Sequence, residues 1–288
     1  MRPWTTAFVV ALRLTLLGHV HNRLAVLMAV VFIPGWVWIG GASLSHTPLT
    51  FRLDVLDVQV VSDVSKATQI TSSLPGAATV IGFMMFMTTF KAREMDQRLV
   101  LAGYPRTALT LARFTAMIAV AALLAVQITV VLRLTVGAPQ PGMLWLAGWA
   151  AALAYGGIGT LLGASLRSEL SGLFVVIACI FVELTLQNPL TNPRADQPWL
   201  VLLPLFGPSQ TTAAAAFTRT GPGLSYAALG VLWCLVTSGA AAVVLAVRTR
   251  GCSPVTSPTG RSPRLPSPHA AVETGYSPAR TRRASETT

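Results

Sequence analysis

Six stretches of this chain, 24–43, 73–90, 111–134, 143–165, 171–189 and 224–247, are apolar runs nearly free of charge. Crossing a hydrocarbon core of about 30 Å takes about 20 apolar residues in a helix, so each run is long enough to span. The second and fifth are the shortest, close to the lower limit. Of the 288 residues, 53% are hydrophobic and only 11% charged, whereas a soluble domain is about 25% charged. A core of that size lacks the polar surface to cover it in water, so lipid is the expected solvent. The predicted class is an all-α polytopic membrane protein with six transmembrane helices.

The formal net charge is +11, carried almost entirely by arginine, with lysine only at Lys66 and Lys91. A basic balance could point to nucleic acid. Here the positive residues cluster at the ends of apolar runs, which is the pattern that orients spans, and no nucleic-acid partner is expected. Arg2, Arg13 and Arg23 precede the first run, five basic residues fill the second loop through Arg113, and arginines from Arg248 onward follow the last run. That alternation predicts both termini on the cytoplasmic side. Cys179, Cys234 and Cys252 show no C-x-x-C spacing, so neither a zinc site nor a disulfide framework is indicated. The first long apolar run begins near Leu24, late for a secretory signal.

The segment "PWTTAFVVALRLTLLGHVHNR" is apolar but interrupted by Arg13. It suits a helix lying in the inner interface, with Trp4 at headgroup level and the Arg13 head snorkelling to water. The alternative is an extension of the first span. In the loop 44–72, "FRLDVLDVQVV" alternates in part like a strand. Its aspartates, Asp54, Asp57 and Asp63, lack the ligand spacing of an EF-hand loop, and no metal site is expected. From Gly251 onward the chain has five Ser-Pro pairs, scattered arginines and few apolar clusters, so residues 251–288 are expected to be a disordered cytoplasmic tail.

The stretch "KAREMDQRLVLAGYPRTALTLARF", residues 91–114, carries seven charged residues between two apolar runs. Residues 91–102 are good helix formers. Gly103 is a natural helix stop and Pro105 suits the start of another helix. A helix from about Arg106 to Leu134 would be roughly 43 Å long, overshooting the hydrocarbon. The expectation is a short cytoplasmic helix, a sharp turn, and a long helix rising into the bilayer. Such an element could receive a push from a soluble partner, or simply fix topology as a solvated loop.

Arg98-Leu99-Val100-Leu101-Ala102-Gly103-Tyr104-Pro105, followed by Leu109, Leu111, Ala112 and Arg113, resembles the link between the second and third spans of ABC-2 type transporter permeases. "EMDQR" stands where that family has an acidic-basic run followed by Gly-Thr. The resemblance covers about residues 1–250. It implies a coupling helix seated against an ATP-binding subunit, with Glu94, Asp96, Arg98, Leu101, Gly103, Tyr104, Pro105 and Arg106 at that contact. It also implies short re-entrant helices in the fifth loop, where "PWLVLLPLFGPSQTTAAAAF" is apolar enough for them. The G-x-x-x-x-G-K-[ST] phosphate loop is missing from the sequence. ATP and magnesium would therefore sit on the partner ATPase, with no cofactor and no catalytic residue on this chain. A second permease subunit, identical or not, is implied, in a bacterial inner membrane.

Glu183 is the clearest polar intrusion into a run. Ionisable groups in spans are costly and often functional. Gln187 lies one turn further on the same face, and Gln127 of the third run falls at a comparable depth. These three could form a polar patch contacting substrate or a re-entrant helix, or Glu183 could be a hydrogen-bonded group stabilising helix packing. Gly148, Ala152 and Gly156, with Gly159 and Gly163, suit close helix contacts, expected within the subunit. The functional expectation is the permease subunit of an ATP-driven ABC-2 type exporter moving an apolar or amphipathic compound such as a drug, antibiotic or lipid-like molecule. The alternatives are a non-transporting immunity or regulatory partner and an intramembrane enzyme.

Overall fold

A glycine- and alanine-rich helix forms the axis of this molecule. The computed structural model describes residues 2–53, 58–187, 197–219 and 224–250. In chain order these form α1 (Arg2–His21), α2 (Arg23–Leu27), a π-helical turn (Met28–Phe32), α3 (Ile33–Ala42), β1 (Pro48–Leu53), β2 (Val58–Asp63), α4 (Val64–Leu101), α5 (Arg106–Thr135), α6 (Pro141–Ser165), α7 (Glu169–Gln187), a 3₁₀ turn (Pro198–Leu202), α8 (Phe206–Phe217) and α9 (Leu224–Arg250). Six helical segments are long and apolar enough to cross a membrane: Arg23–Ala42, α4, α5, α6, α7 and Leu224–Val247. The α-helical class and the six spans agree with the sequence expectation. The expected tail, 251–288, lies outside the described residues.

Helix α6 packs against α4, α5 and α9, and most of its residues from Ala147 to Ala164 are buried. Its small residues set the spacing. A Cβ on Gly159 would lie 2.2 Å from the carbonyl oxygen of Gly82 in α4, and one on Gly157 would lie 3.2 Å from Cys234 Cα in α9. The first is a backbone approach that only glycine permits, and the second is tight enough that a side chain would push α9 outward. The small-residue column thus packs within the subunit, as expected. By contrast, Phe174 and Phe181 of α7 and Leu123 and Leu134 of α5 project outward, 67–81% exposed. Apolar side chains so exposed belong against lipid.

The span boundaries differ most at α4. The sequence predicts a span over 73–90 followed by a separate cytoplasmic helix. Instead one unbroken helix of 38 residues runs from Val64 to Leu101, roughly 57 Å long. No helix breaker separates Phe90 from Lys91, so the change in composition alters the surroundings of the helix and not its backbone. The helix also starts nine residues earlier than expected, directly after a hairpin. That hairpin pairs β1 and β2 antiparallel from Pro48↔Asp63 to Leu53↔Val58, in the loop whose alternation hinted at a strand. Ser65 Oγ donates to Gly41 O at 2.8 Å, joining the two helix ends beside it.

At the N-terminus, Asn22 interrupts the helix and caps the next one, accepting from Ala25 N. Helix α1 is therefore a separate element, and it packs along α5. The re-entrant expectation for 198–217 corresponds to the 3₁₀ turn and α8, whose Phe206, Gly207, Pro208, Thr211 and Thr212 are buried.

Candidate functional site

Three features of the described residues bear on function: the elbow between α4 and α5, a buried carboxylate, and an apolar groove between them. The elbow closes as a Schellman turn. Gly103 adopts φ +89°, its N–H donates to Val100 O, and Tyr104 N–H donates to Leu99 O. Those bonds satisfy the last carbonyls of α4, and a left-handed φ is what glycine supplies without strain. Pro105 then sits at the N-cap of α5 in extended conformation, and its carbonyl accepts from Ala108 and Leu109.

The charged stretch divides into two faces. Inward, Arg113 grips Asp96 with both terminal nitrogens, Nη2–Oδ1 at 2.7 Å and Nη1–Oδ2 at 2.5 Å. Tyr104 Oη donates to Ala7 O at 2.5 Å, and Trp4 Nε1 donates to Thr107 Oγ1 at 3.0 Å, so α1 is bound to the elbow. Arg93 reaches across to α6. Its Nη2 donates to Leu166 O at 2.5 Å and also to Gly163 O, and its guanidinium lies 4.8 Å from the Phe90 ring centroid. Arginine here caps a helix C-terminus, where carbonyls lack intrahelical donors. Outward, Glu94, Arg98 and Leu101 are exposed at helical spacing, with Gly103 and Arg106 beyond them. Leu101 is 62% exposed. Of the residues expected at a partner contact, Asp96 and Tyr104 are therefore turned to holding the elbow, and Pro105 is half-buried.

The Asp96–Arg113 pair is bidentate and mostly shielded. Asp96→Ala is expected to lower stability by about 1–2 kcal/mol, because it leaves a charged donor set unmatched. The exchanged pair Asp96→Arg with Arg113→Asp should recover part of that loss. Thermal unfolding in detergent checks it.

Glu183 is 3% exposed in α7. Oε1 accepts from Tyr155 Oη of α6 at 2.5 Å, and Oε2 accepts from Gln187 Nε2 at 3.0 Å and from Leu205 N–H at 2.8 Å. The carboxyl group thus ties α6, α7 and the bend leading into α8 together. Gln187 joins Glu183 as its spacing predicts. Gln127 does not; it donates to Ala29 O in the π-helical turn at 2.6 Å. Tyr155 and the backbone of Leu205 were not among the partners expected for Glu183. A lone tyrosine within the apolar run of α6 is the signal that could have found the first.

The groove runs along α4, with α1, α3 and α7 contributing to its walls, and has a volume of about 1270 Å³. Phe32, Trp36, Met84, Met87, Ile180 and Phe181 line it. This exceeds the roughly 300–1,000 Å³ of drug-sized sites, and methionine adapts to irregular apolar shapes. Lys91 and the Asp96–Arg113 pair stand at the elbow end of the groove. No family model matches the chain, and no curated protein matches it in sequence.

Proposed function

We propose that this chain is the membrane subunit of an ATP-driven transporter of the ABC-2 type, carrying an apolar or amphipathic compound past α4 while a separate subunit binds and hydrolyses ATP. The observation that carries the proposal is the build of α4. One rigid helix continues from the buried centre of the bundle to an exposed face of Glu94, Arg98 and Leu101. Helices transmit displacement as rigid elements, and packed cores respond by switching between arrangements. A push on the elbow would therefore reach the groove along α4 and, through Arg93, the α6–α7 turn. In this proposal the elbow faces the cytoplasm of a bacterial cell, both termini lie on that side, and two membrane subunits form the complete pathway.

The test is co-purification in mild detergent from native membranes, with ATPase activity as the readout. Replacing Arg98 by Glu and Leu101 by Asp together is expected to lower recovery of the ATP-binding subunit about tenfold or more, the effect of losing one central interface anchor. Helicity and thermal stability should stay unchanged, since both side chains are exposed. Recovery of the chain with no ATP-binding partner and no ATPase activity would overturn the proposal and favour a non-transporting membrane partner.

A further inference from the structure

A second cavity, of about 570 Å³, lies among α1, α4, α5, α6 and α9, within the size range of small-molecule sites. We propose that it binds a neutral lipophilic alcohol, with the hydroxyl group bonded to His19 Nε2 and the apolar body against Met85, Phe114 and Met117.

The anchor is His19. It lines the cavity and is 6% exposed. Among the described residues on the lining, its Nε2 is the buried side-chain nitrogen or oxygen left without a hydrogen-bond partner. Buried polar atoms are ordinarily paired, because burial strips the water that would otherwise bond them. Its neighbour His21 finds such a partner on its own helix, with Nδ1 2.8 Å from Leu17 O. The ring of His19 borders the cavity instead.

The other polar groups of the lining are engaged. Thr15, Thr88, Thr110 and Thr160 each donate to the carbonyl four residues back. Thr107 Oγ1 accepts from Trp4 Nε1. Asp96 and Arg113 hold one another, and Arg106 also has an interaction of its own. Neither a cation nor an anion would therefore meet an unmatched charge here. Met85, Leu109, Phe114, Met117, Ala241 and Ala242 complete an apolar wall, and methionine adapts to irregular apolar shapes.

The chemistry of the anchor selects the polar group. Burial lowers the pKa of the His19 imidazole, so the ring is neutral at neutral pH. Nε2 of a neutral imidazole is a donor in one tautomer and an acceptor in the other. A hydroxyl group both donates and accepts, so it satisfies either form, whereas a ketone or ether satisfies only one.

The experiment uses naphthol, naphthalene and naphthoate, which share a ring system and differ in the polar group. Binding to the full chain in detergent is measured by equilibrium dialysis at neutral pH, with uptake by protein-free micelles subtracted. The wild-type chain is expected to bind naphthol about fivefold more tightly than naphthalene, the contribution of one hydrogen bond, and more tightly than naphthoate. His19→Phe should abolish the preference for naphthol while naphthalene still binds. His19→Gln, which keeps a donor and an acceptor, should retain most of it. Trp36→Ala is the control and should leave the preference unchanged, because Trp36 lines the groove but not this cavity. Equal binding of naphthol and naphthalene by the wild-type chain would overturn the proposal without recourse to any variant. Tighter binding of naphthoate would mark an anion site and would also overturn it. So would a preference lost in Trp36→Ala but kept in His19→Phe, which would place the alcohol in the groove.

Discussion

Replacing Gly159 by valine is expected to destabilise the protein by about 3 kcal/mol, or roughly 6–12 °C in apparent melting temperature, if it folds at all. The cause is geometric. Even a Cβ there would sit 2.2 Å from the carbonyl oxygen of Gly82, and 3.1 Å from its Cα. The obstacle is backbone, so no rotamer change relieves it, and α4 and α6 must move apart along their whole contact. Much of the buried core lies on that contact. Gly35→Ala is the matched control: nothing lies within 4 Å of its Cβ position, and alanine is favoured over glycine in a helix by about 0.5–1 kcal/mol. Thermal unfolding in detergent, followed by circular dichroism, separates the two. A Gly159→Val protein as stable as the Gly35→Ala protein would refute the packing described for α6.

Glu183→Ala is expected to cost about 3–5 kcal/mol, because it strips the acceptor from three donors at once, two of them fully buried. Leu205 N–H, Tyr155 Oη and Gln187 Nε2 would each lose the bond they make. Glu183→Gln should cost only about 1 kcal/mol. Its carbonyl can take the Oε2 position, and its amide can donate to the Tyr155 oxygen, since a hydroxyl both donates and accepts. Tyr155→Phe should fall between, near about 1–2 kcal/mol, and the Glu183→Gln/Tyr155→Phe pair should be non-additive because the two share one bond. Unfolding curves in one detergent check the order Ala, then Phe, then Gln. If Glu183→Ala unfolds with the wild-type protein, the carboxyl group does not hold the bend into α8.

These two sites differ in how legible they were. Gln187 follows Glu183 by four residues on a helix, and that periodicity alone brings the pair together. Gln127 was placed with them by depth along its span. Depth says nothing about rotation around the helix axis, and α5 turns Gln127 toward the π-helical turn before α3. Tyr155 and Leu205 N–H reach Glu183 only because α6 and α7 lie side by side and the chain bends back at residues 203–206. No local pattern encodes that meeting. Likewise, the charged residues at 91–106 announced an elbow. Which of them point outward depended on the neighbours: Asp96 found Arg113, Tyr104 found Ala7, and Arg93 found the end of α6.

The sequence by itself determined the six apolar helices and the turn at Gly103-Tyr104-Pro105, and left open whether the N-terminal segment was a helix of its own. Each depends on run length, composition or one residue's backbone preference. Tertiary structure decided that the second span and the charged stretch are one continuous helix, and which polar groups meet. Those outcomes depend on how each helix is rotated and spaced against its neighbours. That is set by where small residues let backbones touch, as Gly157 and Gly159 do on two faces of α6.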